Sequence, residues 1–185
     1  MKKRDIPNII SILRIALVMP IAYFLWDENY LTALILFIIG GLSDGADGFI
    51  ARRYKWETDL GVILDPMGDK LMMLTAYLLL GWHHLLPWWI VGLVIFRDFI
   101  IVLGTLLYRK FIGAAKLKAL FISKLNTVFQ IILVIVVMFS QVIDINIFIV
   151  DSLLWLVVIT TLLSGYAYIN EWGRRAWEIL KRKEV

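Results

Sequence analysis

Four aspartates at helical spacing are the residues of this sequence best suited to chemistry: Asp44, Asp47, Asp65 and Asp69. Residues three or four apart share one face of a helix, so Asp44 pairs with Asp47 and Asp65 pairs with Asp69. Clustered carboxylates repel one another unless protons or cations neutralise them. All-oxygen ligands suit hard divalent ions such as Mg²⁺, Mn²⁺ or Ca²⁺. Two such ions would bind a pyrophosphate and stabilise charge during phosphoryl transfer.

Residues beside the aspartates suit the same chemistry. Gly45, Gly48 and Gly61 leave the backbone bare, so that a flat or bulky ligand could approach it closely. Arg52 can bind a phosphate through two parallel hydrogen bonds. The glycines have a second interpretation, because small residues also allow membrane helices to pack closely, and for Gly45 both interpretations stay open.

The aspartates also suit two roles that involve no resident metal. The carboxylates could form structural ion pairs with Lys70, Arg52 or Arg14. These internal cations are few for four aspartates, which counts against a purely structural role. They could also line an ion or proton pathway, since intramembrane carboxylates are typical of transporters. A transport pathway should place polar groups throughout the membrane depth, whereas these gather near one end of two predicted helices. The pattern therefore favours a metal-dependent enzyme.

The elements that must hold these residues are membrane-spanning helices. The chain has 185 residues, of which 61% are hydrophobic, and no cysteine, and its mean hydropathy is +0.83. Soluble domains are about 45–50% apolar, so this composition excludes a soluble or disordered chain, and the lack of cysteine excludes a disulfide-stapled or zinc-thiolate domain. A spanning helix needs about 20 apolar residues, and only helices span lipid without unpaired backbone. The sequence predicts an all-α polytopic membrane protein with six transmembrane helices, at residues 9–26, 31–51, 60–80, 88–107, 120–139 and 152–169.

The positions of the basic residues predict the orientation. All but three of the 19 Lys and Arg residues lie in the N-terminal segment, in or beside the connections 52–59 and 108–119, or in the basic C-terminal tail 170–185. The connections on the other side hold none, so the positive-inside rule predicts that both termini are cytoplasmic. The first span lacks the cleavage region of a signal peptide and is expected to be retained. We predict one membrane domain, residues 1–185, whose tail lies along anionic headgroups rather than on nucleic acid.

Besides Lys124, which lies close to the connection 108–119, three basic residues fall inside predicted spans: Arg14, Lys70 and Arg97. A charge at the centre of a span costs at least about 2.5–3.5 kcal/mol, so such residues usually serve function and have partners. Arg97, Lys124 and Lys70 could form a cationic pocket for a phosphate. Arg97 could instead form an internal salt bridge with Asp98.

The aspartates and their neighbours also carry a resemblance. Asp44-x-x-Asp47-Gly48-x-x-Ala51-Arg52, eight further residues and Gly61-x-x-x-Asp65-x-x-x-Asp69 together resemble the full signature of the CDP-alcohol phosphotransferases. The resemblance implies a membrane enzyme that transfers a substituted phosphate from a CDP-linked donor to an alcohol and releases CMP. It implies that Asp44, Asp47, Asp65 and Asp69 bind divalent metal, that Asp69 is also the general base, and that Gly48, Ala51, Arg52 and Gly61 line the CDP site.

Other segments resemble two groups within that family. Residues 6–14 are similar to the opening of bacterial phosphatidylglycerophosphate synthases, which makes Asn8, Ser11 and Arg14 candidates for binding an acceptor phosphate. The same segment also suits a helix start, with Pro7 in the first turn. Three other segments look more like the eukaryotic-type cardiolipin synthases: Arg97-Asp98, Ser123-Lys124-Leu125-Asn126-Thr127 and Leu163-Ser164-Gly165-Tyr166.

From the resemblance we expect CDP-diacylglycerol as donor and a phosphate-bearing alcohol as acceptor, with Mg²⁺ or Mn²⁺, two ions in all, as cofactor. Glycerol 3-phosphate is the first acceptor and phosphatidylglycerol the alternative. The implied location is the bacterial inner membrane, with the active site facing the cytoplasm, no nucleic-acid partner, and a homodimer compatible with the family. An ion transporter, and a non-catalytic membrane scaffold, are the alternatives from other classes.

Overall fold

Six α-helices make up the part of the chain that the structure describes. The computed structural model describes the backbone of residues 6–54, 61–111 and 120–183 and the side chains of residues 10–43, 67–105 and 120–174. The helices are α1 (Ile6–Trp26), α2 (Tyr30–Tyr54), α3 (Gly61–Trp82), α4 (Trp88–Phe111), α5 (Phe121–Ser140) and α6 (Ile147–Lys183). The described residues contain no strand, so the all-α prediction is confirmed for them.

Short polar caps account for two of the helix starts. The Asn29 side chain accepts a hydrogen bond from the backbone N–H of Thr32, 3.2 Å away, at the start of α2. Asn146 does the same for Phe148, 3.0 Å away, at the start of α6. Such side chains satisfy backbone donors that have no partner within the helix.

The Asn146 cap accounts for one difference from the sequence prediction. The last span was expected to begin at residue 152, after the charged Asp151, but α6 begins at Ile147 and contains Asp151. The helix also continues to Lys183, so the backbone of residues 170–183 is the extension of α6 and not a separate tail. A helix tolerates an exposed aspartate near its N-terminus because the helix dipole favours negative charge there.

The described residues contain three helical segments that are long and apolar enough to cross a membrane: Trp88–Thr105, Phe121–Ser140 and Ile147–Arg174. Ile10–Trp26 in α1 and Tyr30–Ser43 in α2 are shorter apolar helices. Three of the six predicted spans are thus supported by length and composition. The full count of six, and the orientation, stay predictions.

The first compact unit comprises Met1–Leu86 and Val134–Ile145. In it, α1 packs against both α2 and α3, and α2 contacts α3. Its buried core includes Ile21, Leu25, Phe37 and Tyr77. Helix α1 therefore contacts both of the helices that carry the four aspartates in the sequence.

The second compact unit comprises Pro87–Leu133 and Asn146–Val185, and here α4 packs against α6. Gly104 makes this packing close, because a Cβ atom at that position would overlap the indole of Trp172. Val91, Leu133 and Val157 belong to its buried core.

Candidate active site

Asp69, the residue expected to be the general base, lies in the third turn of α3 and forms an ion pair with α1. The Arg14 guanidinium donates a hydrogen bond from Nη1 to Oδ1 of Asp69 at 3.3 Å. The Arg14 side chain is fully buried, whereas 43% of the Asp69 side chain is exposed. The ion pair thus joins the N-terminal segment to the aspartate signature. The Asp69 carboxylate is accessible, whereas the Arg14 guanidinium is not.

Packing between α1 and α3 sets the position of Arg14. A Cβ atom added to Gly68 would lie 3.4 Å from Cδ of Arg14 and 3.4 Å from Cγ1 of Ile15. The glycine therefore brings the α3 backbone against the aliphatic part of the arginine. Ser11, three residues before Arg14 and on the same face of α1, is also buried. Both residues point into the first unit rather than to its surface.

The remaining predicted metal and CDP ligands are described by their backbone alone. Asp44 and Asp47 lie within α2, and Asp65 lies within α3 together with Asp69. The continuous helices agree with the expected spacing, which puts each pair of aspartates on one face of its helix. The side chains of Asn8, Asp44, Asp47, Gly48, Ala51, Arg52, Gly61 and Asp65 lie outside the described residues.

Arg97 in the second unit forms a network of short hydrogen bonds. Its Nη1 donates to Oδ1 of Asp98, and its Nη2 donates to the hydroxyl oxygens of Ser123 and Ser164, each at 2.6 Å. One buried guanidinium therefore connects α4, α5 and α6. The internal salt bridge with Asp98 is what the structure shows, and binding of an acceptor phosphate by Arg97 stays a prediction.

A second polar layer lies on α5 and α6, beside the two serines. Oδ1 of Asn126 accepts hydrogen bonds from the hydroxyls of Thr160 and Thr161, each at 2.9 Å. Asn126 lies three residues after Ser123 on α5, and Ser164 follows Thr160 by four and Thr161 by three on α6, so the layers lie about one turn apart. Thr160 and Thr161 were not among the residues predicted from the sequence. The signal was a polar stripe in apolar helices, namely Ser123 and Asn126 on α5 and the threonines and Ser164 on α6.

The other two cations of the predicted acceptor pocket are on the surface. Lys70, in the first unit, and Lys124, in the second, both have exposed side chains. Each is accessible to an anion from solvent or from a membrane surface. The acceptor pocket that they would form with Arg97 stays a prediction.

The described residues thus form apolar helices, and a carboxylate lies where α1 meets α3. A family model for CDP-alcohol phosphatidyltransferase matches residues 4–163. The chain belongs to the CDP-alcohol phosphatidyltransferase family, which confirms the resemblance found in the sequence. The matched segment contains every signature residue from Asp44 to Asp69.

Curated relatives of this chain include proteins of two names. The chain is 32% identical to cardiolipin synthase (CMP-forming) of Rattus norvegicus over 96% of this chain and 64% of that protein. It is 32% identical to the CDP-diacylglycerol–glycerol-3-phosphate 3-phosphatidyltransferase of Bacillus subtilis over 96% of this chain and 97% of that protein. The Aquifex aeolicus protein of the latter name is 38% identical over 58% of this chain. The chain thus spans less than two thirds of the rat cardiolipin synthase and nearly the whole Bacillus protein.

Proposed function

We propose that this protein transfers a phosphatidyl group from CDP-diacylglycerol to an alcohol and releases CMP, in a reaction that depends on divalent metal. The observation that carries this proposal is the family match over residues 4–163, which includes the complete aspartate signature. The partly exposed Asp69 carboxylate beside a buried arginine supports it, since such a carboxylate can accept a proton from a bound acceptor.

The transfer needs one proton acceptor and one leaving group. In the proposed reaction, Asp69 takes the proton of the acceptor hydroxyl. At the same time the hydroxyl oxygen of the acceptor bonds to the phosphorus of the phosphatidyl group. The bond between that phosphorus and the oxygen of CMP breaks, and CMP leaves with the electron pair. Gly48, Ala51, Arg52 and Gly61 are proposed to bind the CDP moiety, with Arg52 on a phosphate.

The four aspartates are proposed to hold two divalent ions, Mg²⁺ or Mn²⁺. The chemistry of the donor set fits, because all four are carboxylates on two contacting helices and hard cations prefer oxygen ligands. When bound, such ions supply positive charge that neutralises the pyrophosphate. Asp69 is expected to serve both as a ligand and as the base.

Glycerol 3-phosphate is the first proposed acceptor. The Bacillus relative, whose name specifies that acceptor, is 32% identical over 96% of this chain and supports it. Phosphatidylglycerol is the second candidate, supported by the relatives named cardiolipin synthase. Both acceptors carry a phosphate, which agrees with the exposed Lys70 and Lys124.

The proposed setting is the inner membrane of a bacterium, with six spans, both termini in the cytoplasm and the aspartates at the cytoplasmic face. Three apolar helices of spanning length support the membrane assignment. The absence of Lys and Arg from connections 27–30, 81–87 and 140–151 supports the orientation.

The test is CMP release by the purified protein in detergent with CDP-diacylglycerol and Mg²⁺ or Mn²⁺. Phosphatidylglycerophosphate formed from glycerol 3-phosphate would support the first acceptor, and cardiolipin formed only from phosphatidylglycerol would support the second. Asp65→Asn changes one of the proposed metal ligands. Its matched control is Asp151→Asn, which changes an exposed aspartate on α6. No CMP with any alcohol, together with ion flux in proteoliposomes, would overturn the proposal in favour of a transporter.

A further inference from the structure

We infer that Arg14 is a positioning residue for Asp69 and does not bind the acceptor phosphate. This inference rests on the proposed function, in which Asp69 takes the proton of the acceptor. The sequence allows Arg14 two roles, phosphate ligand or ion-pair partner of an aspartate, and the inference assigns it the second.

Accessibility separates the two roles. The Arg14 side chain is fully buried, while 43% of the side chain of its partner Asp69 is exposed. A residue that binds a water-soluble phosphate must present its donors to the ligand, and Arg14 presents its guanidinium to the aspartate. The group that an acceptor can reach is therefore the carboxylate.

The contact also restricts the carboxylate. Nη1 of Arg14 lies 3.3 Å from Oδ1 of Asp69 and joins residues that are 55 positions apart on two helices. A guanidinium is planar and rigid, so its hydrogen bond limits rotation of the carboxylate about its side chain. A base must lie within hydrogen-bond reach of the proton that it abstracts, and a misplacement of 1 Å can cost about 10²-fold in rate.

Packing holds the arginine itself in place. Its aliphatic stem lies against Gly68, the residue directly before Asp69, and the close approach involves Cδ of Arg14. One turn of α3 therefore carries both the surface that the arginine packs on and the carboxylate that it contacts. Through Arg14, helix α1 therefore fixes the orientation of the Asp69 carboxylate.

The test compares Arg14→Gln and Arg14→Lys with the wild type in steady-state CMP release. We expect Arg14→Gln to lower kcat about 10²-fold while the KM for glycerol 3-phosphate stays within about twofold, because removing a group that acts only on the reacting geometry spares substrate binding. Arg14→Lys should recover part of kcat. Arg174→Gln, which changes an exposed arginine of α6, is the control for loss of a positive charge.

Two further variants keep the inference testable if Arg14→Gln does not fold. Gly68→Val retains the charge but presses on Cδ of Arg14, so it should lower kcat without raising KM. Gly68→Ala, whose Cβ would lie 3.4 Å from that atom, should have a much smaller effect. If Arg14→Gln does fold, its effect should shrink in an Asp69→Glu background, since residues that act as a unit are not additive.

The outcomes separate this inference from the function on which it rests. A wild-type protein that releases no CMP with any alcohol would overturn the proposed function. An active wild type whose Arg14→Gln variant keeps its kcat but has a KM raised tenfold or more would overturn the inference alone and make Arg14 a phosphate ligand. An unchanged kcat and KM would also overturn it.

Discussion

Two buried arginines, one in each compact unit, pair with an aspartate in different ways. Arg14 contacts Asp69 across two helices at 3.3 Å, and Asp69 is the last residue of the family signature. Arg97 contacts Asp98, its neighbour in sequence, at 2.6 Å, and the same guanidinium bonds two serines on other helices. Both aspartates are partly exposed, so exposure alone does not distinguish the two pairs.

The difference lies in what each guanidinium holds. The Arg14 contact fixes one carboxylate that is expected to react, whereas the Arg97 contacts connect α4, α5 and α6 through three short bonds. Changes at the first pair should therefore appear mainly in the rate of transfer, and changes at the second mainly in the free energy of unfolding.

The largest expected effect is on the activity of Asp69→Asn. General base catalysis contributes about 10²–10⁴-fold to a rate, and the amide that replaces the carboxylate cannot take the proton. We expect CMP release to fall by about that factor, while the amide oxygen can still accept from Arg14 and keeps the protein folded. The measurement is initial rate with CDP-diacylglycerol and glycerol 3-phosphate, with Asp151→Asn as control. An Asp69→Asn variant with the wild-type rate would show that the Arg14–Asp69 pair does not serve the reaction and would contradict its distinction from the Arg97–Asp98 pair.

The next effect is on stability, from Arg97→Met. Methionine fills much of the volume but leaves Asp98, Ser123 and Ser164 without the guanidinium that bonds all three. Breaking a buried pair from one side costs about 3–5 kcal/mol, so we expect a loss of that order in the free energy of unfolding, measured by SDS titration in mixed micelles. The variant that does fold should keep a kcat close to that of the wild type. A large fall in kcat with unchanged stability would show that Arg97, like Arg14, serves the reaction.

The sequence predicted much of the fold, because apolar periodicity and charge placement are local properties of each segment. The six predicted windows correspond to the six helices, and the largest differences are at the two ends of α6, which begins at Ile147 and continues to Lys183. The charged Asp151 interrupts the apolar run in the sequence, but the Asn146 side chain caps the helix five residues earlier. A boundary set by a single side-chain hydrogen bond is hard to recognise from composition.

The partners of the internal charges could be predicted only in part. The sequence predicts the Arg97–Asp98 pair as one alternative, because its members are adjacent, and the structure contains it. The contact of Arg14 with Asp69 spans 55 positions, so it depends on how α1 packs against α3, which helical spacing does not specify. The roles of Arg14 as phosphate ligand or ion-pair partner were therefore equally compatible with the sequence.

The smallest predicted effect tests whether the second polar layer belongs to the same stabilising network as Arg97. Thr161→Val keeps the shape of the side chain but removes one of the two hydroxyls that donate to Asn126, which retains Thr160. Hydrogen bonds between membrane helices contribute about 0.6 kcal/mol on average, so we expect a loss of about that size in the free energy of unfolding.

The matched control is Thr127→Val, because the Thr127 hydroxyl is exposed and bonds only to the Ser123 carbonyl in its own helix among the contacts described. It should change the free energy of unfolding by less than Thr161→Val does. In an Arg97→Met background the cost of Thr161→Val should change, since residues in one network are coupled, whereas independent layers would give additive costs. If the costs of Thr161→Val and Arg97→Met add, the two polar layers stabilise the helices independently. If the costs are coupled, the network of Arg97 extends about one helical turn further along α5 and α6.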